Sequence, residues 1–340
     1  MLSECISYYA RSRPDHLACA DLRSGARFSY AALEHRCNLF AATLLRLIGA
    51  DAARGARVAV LARNSADVVA AHIACRRIGA IFVPLNWRLS ARELATLARA
   101  AEPAVLLFEN EFAPMLAAVC EAAPDAICLE IGAEKSLERE IRRVDALPAQ
   151  LAGSAEDDVV TLLFTSGTTG RPKGVMVTER NARISGLNYA LSVNLNARSV
   201  MLCDMPMFHV VGLLAATCAT MQAGGTLLIS PQFAADTTFA RLADPALAIT
   251  HYFCVPQMLR MMRSAPGFDS AALRRMTAMQ TGGAPHPASA VRSWLDERVP
   301  VVDGYGMTEI CTALGMPPGD FELLDRKAGS IGVPAPFIEV

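Results

Sequence analysis

The sequence predicts an α/β fold in which helices cover parallel sheets on both faces. Short β-branched runs alternate with helical patterns along the chain, and this alternation is typical of parallel sheets. At 340 residues, the chain also exceeds the size at which one hydrophobic core keeps growing, so we expect at least two packed subdomains. Hydrophobic residues make up 53% of the chain and charged residues 19%, so we expect no long disordered segments.

The first half of the chain alternates regularly. A helical pattern over residues 30–48 is followed in chain order by strand 58–61, helix 66–78, strand 81–84, helix 91–100 and strand 104–108. Residues 124–155 are richer in charged and small residues, which predicts a surface connection. The run 159–164 is apolar except for Thr161 and predicts a buried strand that leads into a loop of Gly, Ser and Thr.

The second half continues the pattern. Strands are predicted at residues 226–229, 249–254, 277–281 and 299–302, and helices such as 256–263 and 288–297 separate them. The longest apolar stretch, residues 210–221, is too short to span a bilayer, so it predicts a buried helix rather than a transmembrane segment.

Charge and cysteine content point to a small-molecule partner in the cytoplasm. The net charge is -1, from 32 basic and 33 acidic residues, so no global field would recruit nucleic acid or an anionic membrane. The ten cysteines are scattered without CxxC spacing, which indicates reduced thiols rather than a zinc or redox site. The first residues lack the apolar run of a signal peptide, so secretion is not expected.

A loop rich in glycine and hydroxyl groups follows the buried strand. Residues 165–174 read TSGTTGRPKG, in which glycines let backbone amides approach an anion, hydroxyls add donors, and Lys173 adds a positive charge. These groups suit a polyphosphate. The loop is not a Walker A motif, because Pro172 stands where the GxxxxGK spacing requires glycine.

Three further motifs follow in order: an aromatic-histidine segment at residues 205–212, a GGAP run at 282–285 and DGYGMTE at 303–309. Together with the TSGTTGRPKG loop they resemble the superfamily of acyl-CoA synthetases, luciferases and peptide-synthetase adenylation domains. Upstream, residues 83–89 resemble fatty-acyl and aryl-acyl members in particular. The resemblance covers essentially the whole chain and implies the N-terminal domain of an AMP-forming acyl-CoA synthetase.

The resemblance implies roles for individual residues. Glu309 would bind Mg²⁺ together with Thr165, and Thr308 would contact the α-phosphate of ATP. Tyr305 would stack on adenine. The catalytic residues that the resemblance implies are Thr165, Lys173, His209, Thr308 and Glu309. The residues that it implies for nucleotide binding are Thr165, Ser166, Gly167, Thr168, Thr169, Gly170, Lys173, Gly283, Ala284, Pro285, Asp303, Gly304, Tyr305, Gly306, Met307 and Thr308.

One position bears on the acid that is activated. Peptide-synthetase adenylation domains carry an aspartate after the phenylalanine of the aromatic segment, where it pairs with an amino-acid ammonium. Here that position is His209, so an uncharged acyl chain or aryl ring is expected. For His209 itself, a structural role as a buried histidine remains an equal alternative. By family position, the expected acyl-pocket residues are His209, Val210, Gly212, Tyr252 and Gly306.

Two alternatives to acyl-CoA synthesis stay open. Fatty acyl-AMP ligases, which load an acyl carrier protein, tend to carry Ala at the positions of Gly304 and Thr308, so the sequence favours coenzyme A as acceptor. The other alternative is a nucleotide- or acyl-binding module without turnover.

The resemblance also implies the domain layout. It implies two doubly wound subdomains packed side by side, with about residues 55–190 in the first and residues 1–50 with 195–325 in the second. Residues 326–340 would begin a small β-barrel subdomain. We expect that the chain stops before the small C-terminal domain, which carries the catalytic lysine. ATP and the acid should bind where the carboxyl ends of the strands meet.

Overall fold

The computed structural model describes residues 2–132, 134–145, 147, 151, 153–165 and 172–340. They form two compact units, each with its own sheet and helices. The first unit comprises Met1–His16 and Ser29–Arg180, and the second comprises Leu17–Phe28 and Asn181–Val340.

Helices and strands alternate through both units. In chain order they begin with α1 Leu2–Ser12, β1 Leu17–Asp21, β2 Arg27–Ser29, α2 Tyr30–Ile48, β3 Arg57–Leu61, α3 Ala66–Ile78, β4 Ile81–Pro84, α4 Ala91–Ala101, β5 Val105–Phe108, α5 Ala113–Ala122, β6 Ile127–Glu130, α6 Ser136–Ile141, β7 Val159–Thr165, β8 Lys173–Thr178 and α7 Glu179–Ser192. They continue with β9 Val200–Cys203, a π-helical segment Val211–Cys218, α8 Ala219–Gln222, β10 Thr226–Ile229, α9 Ala235–Ala243, β11 His251–Cys254, α10 Pro256–Arg263, β12 Ala278–Thr281, α11 Ala288–Asp296, β13 Val301–Met307, β14 Cys311–Gly315, α12 Phe321–Arg326 and β15 Val333–Pro334.

The sheet of the first unit is doubly wound. Its strand order is β6-β5-β3-β4-β7-β8, in which all neighbours are parallel except β7 and β8. The direction in which successive strands are added to the sheet reverses at β3, because β4 pairs with one edge of β3 and β5 pairs with the other. One hydrophobic cluster includes strand residues Leu61, Val83 and Leu106 and helix residues Leu94 and Leu97, all at most 1% exposed. The α/β prediction is confirmed for this unit.

The first unit includes helices α1 and α2, although the expected division placed residues 1–50 with the second unit. Helix α2 packs on α3: Arg36 binds Asp67 at 2.9 Å, and Arg77 is paired with Glu34. These contacts anchor the helix beside the sheet of the first unit. Only Leu17–Phe28 of the N-terminal region belongs to the second unit, because β1 pairs with β10 there.

In the sheet of the second unit, strands β11, β12 and β13 lie on one side of β9. Strands β10 and β1 lie on its other side. Its order is β15-β14-β13-β12-β11-β9-β10-β1-β2, and the neighbours from β13 to β1 are parallel. Since β10 and β11 pair with opposite sides of β9, the direction of winding reverses at β9. Open α/β sheets bind their ligands near such a reversal, at the carboxyl ends of the strands.

Two segments differ from the sequence-based expectation. Residues 124–155 were predicted as a surface connection, but they contain β6 and α6. Strand β6 lies at the sheet edge with Leu129 as its only buried residue, so its sequence lacks a core-strand pattern. Residues 326–340 were expected to begin a β-barrel. They contain β15, which pairs with β14, and the described residues form no closed barrel.

The apolar stretch 210–221 is a buried helix, as predicted. Its Val211–Cys218 portion is π-helical and continues into α8, and residues 212–218 are all buried. Among the residues that the structure describes, no helix combines the length and apolarity needed to cross a membrane.

Candidate active site

The candidate site lies within the second unit, at the carboxyl ends of β11, β12 and β13. The GGAP run follows β12 directly, and the DGYGMTE motif occupies the second half of β13 and the turn after it. Because these strands are parallel neighbours, two motifs that are about twenty residues apart in sequence emerge side by side.

A hydrogen-bonded cluster lies at the start of both motifs. Nδ1 of His286 lies 2.9 Å from Oδ1 of Asp303, and the Thr281 hydroxyl donates to the same carboxylate oxygen. The carboxylate of Asp303 is 9% exposed and the imidazole of His286 is 6% exposed. The cluster ties the GGAP loop to the beginning of the DGYGMTE strand. No sequence motif identified His286 as a candidate site residue. Only its contact with Asp303 in the structure does so.

The GGAP loop and Tyr305 line one cavity of about 410 Å³. Gly283 has a φ of +79°, which a side chain would strain, so glycine suits this turn. Tyr305 is 44% exposed and forms part of the wall. The remaining walls are Thr281, Gly282, Ala284, Pro285, His286, Asp303, Gly304, Gly306, Gly329 and Ile331. The structure thus brings together Gly283, Ala284, Pro285 and the predicted nucleotide residues 303–306.

The end of the motif forms a hairpin. Strand β13 leaves the parallel sheet and pairs antiparallel with β14, with an irregularity in register between Tyr305 and Gly306. A Cβ on Gly306 would lie 2.2 Å from the carbonyl oxygen of Cys311, so only glycine permits this close approach. Thr308 and Glu309 lie in the turn, where Glu309 is exposed.

A second, smaller pocket of about 50 Å³ is lined in part by the same glycine strand. Gly282, Gly283, Gly304, Tyr305 and Gly306 line both cavities. The other lining residues of the small pocket are mainly apolar. They are Tyr189, Val210, Val211, Ala215, Phe253, Gln280, Cys311, Thr312 and Leu314. None of these described lining residues carries a charge.

The expected acyl-pocket residues divide into two groups. Val210 and Gly306 line the small pocket, whereas His209, Gly212 and Tyr252 do not. His209 is exposed, with its ring 4.6 Å from that of Phe208. Gly212 is buried where a Cβ would lie 2.3 Å from the carbonyl oxygen of Pro206, which explains the glycine by packing.

Tyr252 belongs to a buried polar cluster beneath the pocket. Its hydroxyl donates to the carboxylate of Asp204 at 3.0 and 3.1 Å, and Thr238 donates to the same carboxylate at 2.7 Å. Burial raises the pKa of Asp204 to about 7, although these hydrogen bonds lower it in part. Asp204 directly follows β9 and precedes the segment that supplies Val210, so this cluster anchors one wall of the pocket.

The predicted phosphate loop belongs to the first unit. Thr165 ends β7 and Lys173 begins β8, and the two residues face each other in the antiparallel pair. Lys173 is exposed. The predicted residues Ser166, Gly167, Thr168, Thr169 and Gly170 lie outside the described residues.

No group of three or more metal-binding side chains occurs in the part of the chain that the structure describes. Glu309 would offer one carboxylate from an exposed turn. This arrangement fits Mg²⁺, which commonly uses one or two protein carboxylates and completes its coordination with substrate phosphates and water.

Sequence comparison finds coenzyme A ligases among the proteins that are similar to this chain. Indoleacetate–CoA ligase of Aromatoleum aromaticum is 33% identical over 342 residues, which cover 98% of this chain and 65% of that protein. Long-chain-fatty-acid–CoA ligase FadD13 of Mycobacterium tuberculosis is 32% identical over 319 residues, which cover 92% of this chain and 61% of that protein. The chain thus spans less than two thirds of the length of either relative.

The fold has a solved counterpart. The inhibitor-bound N-terminal domain of FACL13 from Mycobacterium tuberculosis superimposes with a TM-score of 0.87 at 29% identity, covering 99% of this chain and 82% of that one. A family model described as AMP-binding enzyme matches residues 6–340. On this evidence the chain belongs to the family of AMP-binding enzymes.

Proposed function

We propose that the protein activates an uncharged carboxylic acid with ATP and transfers the acyl group to coenzyme A. The observation that carries this proposal is the pair of cavities that share the lining residues Gly304–Gly306. One cavity has a polar rim and the GGAP loop, which suit a nucleotide. The other is lined mainly by apolar residues, which suit the uncharged part of an acyl group. A carboxylate and an α-phosphate would meet at the shared glycines.

Each half of the reaction places demands on the site. In the first half, a carboxylate oxygen attacks the α-phosphorus of ATP, the bond to the β-phosphate breaks, and pyrophosphate leaves. In the second, the thiol sulfur of coenzyme A attacks the acyl carbon, loses its proton, and displaces AMP. The first step gathers negative charge, so it requires cations and donors that are held in place beforehand.

The chain offers groups for the first step. Tyr305 lies beside the GGAP loop and would stack on adenine. Lys173 and the hydroxyl of Thr165 would hold the β- and γ-phosphates, and Thr308 would contact the α-phosphate. Glu309 would bind Mg²⁺, which would offset the phosphate charge when present.

The small pocket supports an uncharged acid. An α-amino acid would bring an ammonium group, and none of the described lining residues carries a carboxylate to pair with it. Burying that charge unpaired would cost several kcal/mol, about a thousandfold in affinity or more. The relatives named for indoleacetate and for long-chain fatty acids are consistent with aryl and alkyl acids as the substrate class.

Two assays with one panel of acids test the proposal. ATP–pyrophosphate exchange reports acyl-adenylate formation, and consumption of the coenzyme A thiol reports the second step. We expect exchange with aryl or alkyl acids and not with proteinogenic amino acids. Exchange that is strongest with an amino acid would refute the acid class. Exchange without thiol consumption, but with loading of an acyl carrier protein, would refute coenzyme A as the acceptor.

A further inference from the structure

Two half-buried cysteines lie in contact at the edge of the first unit. Cys120 is in the last turn of α5 and Cys128 is the second residue of β6, and their Sγ atoms are 3.3 Å apart. All ten cysteines belong to the described residues; seven of them are buried, and the other three, Cys5, Cys120 and Cys128, are half-buried. The contacting pair is eight positions apart and has no CxxC spacing, so no sequence motif identified it.

The turn between α5 and β6 brings the two sulfur atoms together. The N–H of Ala123 donates to the carbonyl oxygen of Val119 at 3.0 Å, and the N–H of Ala126 donates to that of Ala123 at 3.2 Å. Among the described strands, β6 pairs with β5 alone, since it ends the sheet. A disulfide bond is about 2.0 Å long, so the two Sγ atoms need to approach each other by only about 1.3 Å. An edge strand can accommodate such a shift.

The contact gives the two sulfur atoms different roles. Burial, together with the contact to Cys120, raises the pKa of Cys128 to about 12. Cys128 therefore keeps its proton at neutral pH and can donate it to Sγ of Cys120. A thiolate is the nucleophile in thiol chemistry, and a donor beside it stabilises its charge. Cys120 is thus placed to attack an oxidant, and Cys128 is placed to react with the product.

We propose that Cys120 and Cys128 form a dithiol site that peroxides oxidise reversibly to a disulfide. In the first step, Sγ of Cys120 attacks one oxygen of hydrogen peroxide, the O–O bond breaks, water leaves, and the sulfur becomes a sulfenic acid. In the second step, Sγ of Cys128 attacks that sulfur, the S–O bond breaks, and the hydroxyl group leaves as water with the proton of Cys128. The two thiols lose two electrons, and the peroxide gains them.

The disulfide would join the end of α5 to the edge strand. It would close a loop over residues 121–127, which restrains the unfolded chain and so stabilises the folded unit. In the sheet of the first unit, β6 lies at one end, and β7 and β8, which flank the predicted phosphate loop, lie at the other. The inference therefore goes beyond the proposed function and does not depend on it. Oxidation should change stability and leave nucleotide binding unchanged.

Treatment of the reduced chain with hydrogen peroxide tests the proposal. Remaining thiols are blocked with N-ethylmaleimide, and the chain is cleaved after Glu121, which stands between the two cysteines. The two peptides should stay joined until dithiothreitol is added. The disulfide should raise the midpoint of thermal unfolding by about 5 °C. Cys5, which is also half-buried, should still react with N-ethylmaleimide at the peroxide concentration that oxidises the pair.

Single variants separate the roles of the two sulfur atoms. In Cys128→Ser, Cys120 should accumulate as a sulfenic acid that dimedone labels, because no second thiol reacts with it. In Cys120→Ser, Cys128 should stay unlabelled, since a thiol that keeps its proton is a poor nucleophile. Neither variant should gain stability on oxidation. The matched control is Cys5→Ser, which should form the disulfide with the same rise in the midpoint.

Three results would overturn the proposal. They are separation of the two peptides after peroxide treatment, a disulfide that joins either cysteine to Cys5 or to a second molecule instead, and dimedone labelling of Cys128 rather than Cys120 in the single variants. Titration calorimetry with AMP should give equal affinity for the reduced and oxidised chains, and a loss on oxidation would refute the separation of this site from the nucleotide site. If a serine variant does not fold, the peptide map of the unmodified protein decides.

Discussion

Replacing Asp204 by asparagine should remove a pH-dependent loss of stability from the second unit. The Asp204 carboxylate is 1% exposed and accepts hydrogen bonds from Tyr252 and Thr238. Burial raises its pKa from 3.8 to about 7, the hydrogen bonds lower it in part, and the charge of Arg241 lowers it further. The folded protein therefore holds a proton on Asp204 at pH values at which the unfolded chain has released it.

The sign and size of the effect follow from this difference. The folded state binds more protons than the unfolded state between about pH 4 and pH 7, so the free energy of unfolding falls as pH rises through that window. A pKa difference of about 3 between the two states corresponds to about 4 kcal/mol in all, and to about 1.4 kcal/mol per pH unit within the window. Above about pH 7 both states are ionised and the contribution is constant.

Urea unfolding at a series of pH values measures the effect. An asparagine side chain would resemble the protonated form of Asp204 at every pH, so the stability of Asp204→Asn relative to the unmodified protein should rise by about 3 kcal/mol between about pH 5 and pH 8. Asp236→Asn, the same change at an exposed position of α9, is the control and should show no such rise. A stability difference between Asp204→Asn and the unmodified protein that stays constant with pH would show that Asp204 titrates normally and refute the reasoning.

Three further predictions concern the nucleotide side of the site. Glu309→Gln should lower pyrophosphate release by orders of magnitude at saturating Mg²⁺ without changing the unfolding midpoint, because the proposed role of this exposed carboxylate is to bind the metal; near-normal release would remove it from the metal site. Lys173→Ala should raise the apparent Michaelis constant for ATP more than that for the acid, since an exposed ammonium contacts phosphate; a change confined to the acid would contradict this assignment. Gly306→Ala should destabilise the protein by about 1–3 kcal/mol in urea titrations, because its Cβ would meet the carbonyl oxygen of Cys311; unchanged stability would mean that the hairpin adjusts.

Local patterns in the sequence were sufficient for most of the fold. Helix α2 at Tyr30–Ile48, helix α3 at Ala66–Ile78 and strand β10 at Thr226–Ile229 begin and end at the predicted residues. Ser29 and Ser65 cap the two helices at their start, and Gly49 and Gly79 follow their last residues. Strand β6 escaped prediction because an edge strand buries little and shows a weak apolar pattern.

The sequence also contained the motifs of the candidate site in order, since a glycine loop or a tyrosine between glycines is a local feature of the chain. It could not say how side chains distant in sequence would meet. Only the parallel pairing of β12 with β13 places Asp303 against His286, which no motif had marked. The pairing of β11 beside β12 likewise puts Phe253 next to Gln280 in one pocket.

What the sequence by itself determined was therefore the order of strands and helices, the family motifs and the absence of a carboxylate at position 209 that could pair with the ammonium group of an amino acid. What only the tertiary structure decided was which side chains face a cavity. It turned Tyr252 toward Asp204 rather than into the pocket, and it left Gln280 buried beside the glycine strand. The physical reason is that the direction in which a strand residue points its side chain depends on which strands pair and in which register. That pairing joins residues distant in the chain, and no local pattern encodes it.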